Sequence, residues 1–234
     1  MKRYSIIRSF CVLVTLSWCM ISCDGFLKES PRDALPEEEG YRNITELYLN
    51  AVASLYNYIG GNSDSQGLQG TGRGIYDLNT FTTDEAIIPT RGGDWYDGGF
   101  WQGLFLHKWG INNDAIQATW EYLYKVVMLS NKSLEQIENY TLTHADAELP
   151  AYRAEVRALR AMYYYYLTDL FGSIPLVLSS KVASKDIVLS ERENIFNFIF
   201  KELQETAPLL PAPVSYTHLR AHEPLATLVC RLLL

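Results

Sequence analysis

One segment, residues 154–177, constrains the fold more than any other part of the chain. Its apolar side chains recur at the three- and four-residue spacing that places them on one face of an α-helix. This face comprises Val156, Leu159, Tyr163, Tyr166, Leu167 and Leu170. A second stripe beside it comprises Arg153, Arg157, Arg160 and Tyr164. Gly172 can adopt the left-handed conformation that ends a helix, and Pro175 cannot continue one. Since so many aromatic side chains need burial, the segment predicts a core helix with partner helices.

Another helix is predicted near each end of the chain. Residues 43–59 have helical spacing and begin with Asn43 and Glu46, which resemble a capping box. A later helix is predicted by a second capping box, Ser190-Glu-Arg-Glu193, and ends before Pro208. No segment has a convincing strand pattern, so the predicted fold class is all-α, or mainly α.

A further long helix runs from Asn113 to about Glu138. A polar linker, residues 139–146, joins it to the core helix, so the two helices should pack antiparallel. Asn131 lies in the middle of the apolar face, where an unpaired amide would cost on the order of 1–3 kcal/mol. We therefore expect Asn131 to bridge to a neighbouring helix or loop rather than to contact a ligand.

The N-terminus is typical of an exported protein. Residues 1–22 combine a basic start with an apolar run that is too short to span a bilayer comfortably. The Met-Ile-Ser-Cys sequence at the end resembles a bacterial lipobox, in which Cys23 is acylated and becomes the mature N-terminus. The alternative is an ordinary secretory signal peptide that is cut nearby. An acylated Cys23 would anchor the protein to a membrane, and residues 23–42 would form a tether.

Charge and motif content exclude several functions. The chain has 234 residues and a formal net charge of −7, which argues against a nucleic-acid footprint. The body of the chain has no nucleophile elbow and no Cys/His cluster at metal-binding spacing. Asp84 and Glu85 are adjacent and so point to different sides of any regular element, whereas a glycoside hydrolase needs two facing carboxylates. We therefore predict a binding protein, not an enzyme, with no cofactor or metal.

Residues 77–110 are the least helical and most polar-aromatic part of the chain. A short helix is expected through Asp84 and Glu85, followed by an exposed turn at Pro89, Gly92 and Gly93. The turn would display Arg91, Asp94, Trp95 and Tyr96. Large rings are costly to expose unless something covers them. Either these rings pack back on the helices, or they contact a ligand with flat apolar faces.

Residues 215–234 differ from everything before them. The amphipathic pattern gives way to a run that ends in Cys-Arg-Leu-Leu-Leu, without a helix stop or polar terminal residues. This segment resembles translated library-adapter sequence, so we expect it to be non-native. The alternative is a genuine final helix, since apolar last turns do occur at natural termini.

Three blocks of sequence together resemble the SusD/RagB family of outer-membrane lipoproteins. The first block is Cys23 followed by DGFLKESP, and the third is the core helix followed by ERENIFNFIFKEL. The second block is TTDEAIIPTRGGDWYDGG and the residues His107, Trp109, Trp120, Tyr124 and Asn131 that follow it.

This resemblance implies a SusD-like fold, in which tetratricopeptide-like helix hairpins support long ligand-binding loops. Residues 43–214 would form a truncated N-terminal domain of that fold, about half of the family's chain. The implied protein is lipid-anchored, faces the exterior of the outer membrane and binds an oligosaccharide or polysaccharide. It would deliver this ligand to a partner TonB-dependent, SusC-like transporter without breaking a bond.

The aromatic loop provides the groups that such a ligand needs. Sugars present C–H faces that stack on Trp and Tyr, and hydroxyls that pair with charged groups and amides. The predicted ligand-binding residues are Asp84, Arg91, Asp94, Trp95, Tyr96 and Trp101. Two alternatives remain open: uptake of peptides or glycoproteins by a RagB-like member, and a helical-repeat scaffold that binds a protein partner.

Overall fold

The computed structural model of the chain describes residues 40–60, 67–68, 74–94 and 96–210. Apart from Gly40, these residues belong to one compact unit that begins at Tyr41. The signal sequence, Cys23 and residues 211–234 lie outside the described residues. The predictions made for them therefore remain predictions.

The described part of the chain is mainly helical, as predicted. Helix α1 consists of three consecutive segments, Ile44–Leu47, the π-helical Tyr48–Ala53 and Ser54–Gly60. Two short helices follow, α2 (Ile75–Phe81) and α3 (Phe100–Phe105). The long helices are α4 (Asp114–Thr141), α5 (Leu149–Phe171) and α6 (Arg192–Thr206). Helices α2 and α3 are too short to have a clear periodicity, so they depend on tertiary packing and the sequence did not reveal them.

Of the two predicted capping boxes, only the first has its predicted N-cap, Asn43, although the return bond from Glu46 goes to the residue before it. The Asn43 side chain accepts a hydrogen bond from the Glu46 N–H at 2.9 Å, and the Glu46 carboxylate accepts one from the Arg42 N–H at 3.2 Å. The second prediction is wrong, because α6 begins after Glu191, which makes no side-chain capping bond. Ser190 is instead part of a strand, so its backbone is extended before the helix starts.

A very short antiparallel ladder accompanies the helices and leaves the predicted, mainly α fold class unchanged. Strand β1 (Ile174–Pro175) pairs with β2 (Leu189–Ser190), with Ile174 opposite Ser190 and Pro175 opposite Leu189. Two residues are too few for an alternating pattern to be visible in the sequence.

The three long helices form two antiparallel hairpins. Trp120 of α4 packs edge-to-face on Phe171 at the end of α5, at 4.9 Å between ring centroids. Asn131, further along α4, contacts Arg160, which lies earlier in α5. Helix α6 then reverses direction on α5, where the rings of Tyr164 and Phe198 are 5.6 Å apart. The predicted antiparallel packing of α4 and α5 is confirmed.

A buried polar network links these three helices. Arg160 donates from Nη1 to Asn131 Oδ1 at 2.8 Å and from Nη2 to Glu202 Oε2 at 3.0 Å. Arg157 donates to Glu202 Oε1 at 2.6 Å. Burial favours a raised pKa for Glu202, but the hydrogen bonds from the two arginines outweigh it and hold that pKa below its ordinary value. The second stripe of the core helix therefore packs toward α6, except for the exposed Arg153.

Polar side chains also fasten the segment after α5 to the helices. Asn131 Nδ2 donates to the Val177 carbonyl at 2.9 Å, which confirms that Asn131 is a bridge to a loop. The Tyr164 hydroxyl donates to the same carbonyl at 2.6 Å and accepts from the Val177 N–H at 2.8 Å. Burial raises the pKa of Tyr164 to about 12. The Tyr124 hydroxyl donates to the Pro175 carbonyl at 2.7 Å. These tyrosines are therefore structural, as their helical spacing indicated.

Candidate functional site

The loop that connects α2 to α3 rests on a small apolar cluster of its own. Leu78, Trp101, Leu104 and Ala115 are buried in this cluster. Trp101 is only 8% exposed, and its ring packs edge-on against Phe81 at 5.1 Å and Phe100 at 4.8 Å. Trp101 thus forms the base beneath the loop, whereas we predicted it among the ligand contacts.

The predicted exposed turn is confirmed at residues 91–94. The Arg91 N–H donates to the Asp94 carbonyl at 3.1 Å, and the Asp94 N–H donates to the Arg91 carbonyl at 2.9 Å. Gly92 has a φ of +61°, a conformation that suits glycine. Residues that exchange both backbone bonds stand directly opposite one another, so their side chains lie on one face. The turn therefore presents a cation and an anion, both exposed, side by side.

Three hydrogen bonds hold this loop in place. The Gln102 side chain, on α3, donates to the Ile88 carbonyl at 3.3 Å and to the Thr90 hydroxyl at 2.9 Å. Beyond the turn, the Tyr96 carbonyl accepts from the Gly99 N–H at 2.7 Å. This bond holds the backbone around Tyr96. The residue is nevertheless 56% exposed, so its ring faces solvent.

The short helix predicted through Asp84 and Glu85 is wrong. Residues 82–85 form a turn and bends. The Thr82 hydroxyl donates to the Leu78 carbonyl, and the Thr83 hydroxyl donates to the Thr80 carbonyl at 2.8 Å. Such local side-chain bonds compete with continuation of a helix. Asp84 is exposed on the loop and makes no side-chain hydrogen bond with the described residues.

The structure therefore brings four of the six predicted ligand residues to the surface of one loop: Asp84, Arg91, Asp94 and Tyr96. Trp95 lies outside the described residues. The assignment of these residues to a ligand remains a proposal.

A cleft beside the loop was missed by the sequence analysis. It has a volume of about 230 Å³ and lies between α2, the α3–α4 connection and the end of α5. Its lining comprises Leu78, Asn79, Thr82, Leu104, Trp109, Ile116, Leu170 and Phe171. Trp109 is 43% exposed and forms an aromatic wall, while Asn79 and Thr82 add polar groups. Trp109 belongs to the second block of the family resemblance, which was the signal that could have found it.

His107 lies between the loop and this cleft. Its Nε2 atom is 2.7 Å from the Thr82 carbonyl oxygen, and its ring centroid is 5.3 Å from that of Trp109. Its backbone φ is +55°, which is uncommon for a residue other than glycine.

No helix within the described ranges is both long and apolar enough to cross a membrane. The same part of the chain contains no group of three or more His, Cys, Asp or Glu side chains that could hold a metal ion.

The described residues form helical hairpins that carry an exposed polar-aromatic loop and an aromatic cleft. Residues 27–228 match the SusD-like_3 family, which is described as starch-binding and associating with the outer membrane. The chain belongs to this family. The match continues into the segment 215–234, where our expectation of a non-native tail remains a prediction. The family is described by binding and not by catalysis, in agreement with the predicted class of protein.

Curated relatives are similar over most of this chain. A SusD-like protein P25 from Formosa agariphila is 25% identical over 204 residues, which cover 85% of this chain and 37% of the relative. The starch-binding protein SusD from Bacteroides thetaiotaomicron is 27% identical over 206 residues, or 84% of this chain and 35% of the relative. The chain thus spans about a third of the length of these relatives, less than the half we predicted.

Solved structures have the same fold. A laminarin-binding SusD-like protein has a TM-score of 0.56 at 22% identity, and the match covers 72% of this chain and 34% of that one. A SusD superfamily protein from Bacteroides vulgatus has a TM-score of 0.60 at 20% identity over 73% of this chain and 35% of that one. The predicted SusD-like helical fold is confirmed.

Proposed function

We propose that the chain is part of a cell-surface protein that captures an oligosaccharide or polysaccharide. The observation that carries this proposal is the exposed Arg91–Asp94 turn and Tyr96, on a loop that starts at the rim of a cleft walled by Trp109. Membership of a family described as starch-binding supports the same conclusion.

The chemistry of these groups suits a sugar. The indole of Trp109 and the phenol ring of Tyr96 offer flat faces for sugar C–H groups, and Arg91, Asp94 and Asn79 offer donors and acceptors for hydroxyls. The cleft, at about 230 Å³, is smaller than the roughly 300–1,000 Å³ of pockets that enclose a small molecule. The cleft would hold only part of a glycan, and the rest of the glycan would lie along the open loop.

Anchoring and delivery are the remaining parts of the proposal. An acylated Cys23 holds the protein on the outer membrane, facing the exterior, and a TonB-dependent, SusC-like transporter receives the captured glycan. The outer-membrane association in the family description supports this location. Metabolic labelling with palmitate tests the anchor: the chain should be labelled, and the Cys23→Ser variant should not. An unlabelled wild-type chain would refute the anchor.

Affinity electrophoresis in gels that contain starch or laminarin tests glycan capture. Trp109→Ala and Tyr96→Ala should each weaken retention about tenfold, because each removes a stacking face. Tyr76→Ala is a matched control, since Tyr76 is 54% exposed on α2 and lies outside the cleft lining and the loop. Failure of the wild-type protein to be retained by either polysaccharide, or equal retention of all variants, would refute the proposal.

A further inference from the structure

We infer that His107 is a positioning residue that sets the orientation of Trp109 in the cleft. The role of the cleft in glycan capture rests on the function proposed above. The position of the Trp109 ring does not, because it can be measured without a ligand.

The backbone around His107 ends helix α3 in a specific motif. The His107 N–H donates to the Leu104 carbonyl at 3.1 Å, and the Lys108 N–H donates to the Gly103 carbonyl at 2.7 Å. This pair of bonds defines a Schellman motif, in which the residue at the position of His107 is left-handed and usually glycine. A φ of +55° places His107 in that conformation. Glycine would satisfy the turn with less strain, so the turn alone does not explain a histidine.

The side chain of His107 explains why a histidine occupies this position. Its Nε2 atom is 2.7 Å from the Thr82 carbonyl oxygen, at the C-terminal end of α2. Because a carbonyl oxygen only accepts, Nε2 must carry the hydrogen. The bond joins the end of α2 to the end of α3, and Thr82 and Leu104 from these two ends both line the cleft.

Trp109 follows His107 by two residues, and the two rings are in contact. Their centroids are 5.3 Å apart, with an angle of 59° between the ring planes. Trp109 is 43% exposed, so protein contacts do not fix the orientation of its ring on the solvent side. His107 therefore fixes both the backbone from which Trp109 projects and one side of its ring.

The test uses His107→Gly, which keeps the turn and removes both the donor and the ring. Retention in starch or laminarin gels should fall about tenfold. The midpoint of thermal unfolding should change little, because the relief of strain at the left-handed position offsets the loss of the bond to Thr82. A merely structural residue would instead lower retention and the unfolding midpoint together. His107→Gln, which restores a side-chain donor, should recover part of the retention.

Nuclear magnetic resonance of the Trp109 indole N–H, assigned with Trp109→Phe, gives a readout that needs no ligand. The resonance should shift and exchange faster with solvent in His107→Gly. Lys108→Ala is the control, because Lys108 is exposed in the same turn and its backbone bond is retained. An unchanged Trp109 resonance in His107→Gly would overturn the inference. A moved resonance with unchanged retention would support it and would instead contradict the proposed role of Trp109 in glycan capture. If wild-type protein is retained by neither polysaccharide, glycan capture fails, and the resonance alone decides whether His107 positions the ring.

Discussion

The α4–α6 stack and the loop between α2 and α3 use similar charged residues in opposite ways. In the stack, Arg160 is 6% exposed and bonds both Asn131 and Glu202. In the loop, Arg91 and Asp94 are exposed, and it is their backbones that are bonded to each other. Burial forces the first arginine to find protein partners, whereas exposure leaves the second free to bind something else.

This comparison separates the residues that stabilise the fold from those that are available to bind a ligand. In the stack, the buried Arg160 is bonded to both Asn131 and Glu202, so we expect these three positions to tolerate few changes. The loop is held by its backbone and by Gln102, so its outward side chains can change without cost to the fold. Such a division is typical of proteins in which a scaffold positions binding residues on loops.

The largest expected effect is on the stack. Arg160→Met should lower the free energy of unfolding by about 3–5 kcal/mol, because Glu202 would lose one of its buried partners and Asn131 an H-bond donor. Chemical denaturation measures this loss. Arg153→Met, seven residues earlier on the same stripe but exposed, should change stability by less than about 0.5 kcal/mol. Equal effects of the two substitutions would refute the network as a stabilising feature.

A smaller loss is expected for Tyr164→Phe. The substitution keeps the ring and removes the hydroxyl, so the Val177 N–H loses its partner and the Val177 carbonyl keeps only Asn131. The expected cost is about 1–3 kcal/mol. Tyr165→Phe is the control, since its hydroxyl makes no hydrogen bond within the described residues. A Tyr164→Phe protein as stable as wild type would show that the loop after α5 does not need this bond.

Glu155 gives the stack a pH dependence. It is buried between α1 and α5, accepts a hydrogen bond from Tyr56 at 3.0 Å, and has no cation within ion-pair distance among the described residues. Burial raises its pKa, although the Tyr56 bond partly opposes this. The folded state thus binds the proton more readily than the unfolded state does, so stability should fall as pH rises through the folded-state pKa.

Glu155→Gln should remove this dependence. At pH 8 the variant should be more stable than wild type, by on the order of 1 kcal/mol, because it no longer buries a charge. The difference should disappear near pH 4, where the wild-type carboxyl is protonated. Denaturation at a series of pH values measures it, with the exposed Glu138→Gln as control. A variant that is less stable than wild type at pH 8 would contradict the sign.

The smallest effect on stability is expected in the loop. Arg91→Ala should change the free energy of unfolding by less than about 0.5 kcal/mol, since the turn is closed by backbone bonds that alanine keeps. Retention in starch or laminarin gels should nevertheless fall. A loss of stability as large as that of Tyr164→Phe would erase the distinction between stack and loop.

Local signals predicted the helices better than the site. Asn43 and the apolar stripe of α5 were recognised because capping and periodicity depend on residues close in sequence. The predicted exposure of Arg91, Asp94 and Tyr96 is confirmed, whereas Trp101, which we also placed among the ligand residues, is buried. Whether any of them binds a ligand stays a prediction. The local sequence around an aromatic residue near a glycine-rich turn does not reveal whether its ring faces solvent or the interior.

The sequence by itself determined that this protein is built from long amphipathic helices and that α4 and α5 pack antiparallel. It also determined that a polar-aromatic loop precedes α4. Each of these features follows from spacing within one segment or from the length of one linker. Only the tertiary structure decided that Arg160 is buried on Glu202, and that His107 joins α2 to the turn that carries Trp109. These pairs lie 42 and 25 residues apart in sequence, and only the packed helices bring them into contact.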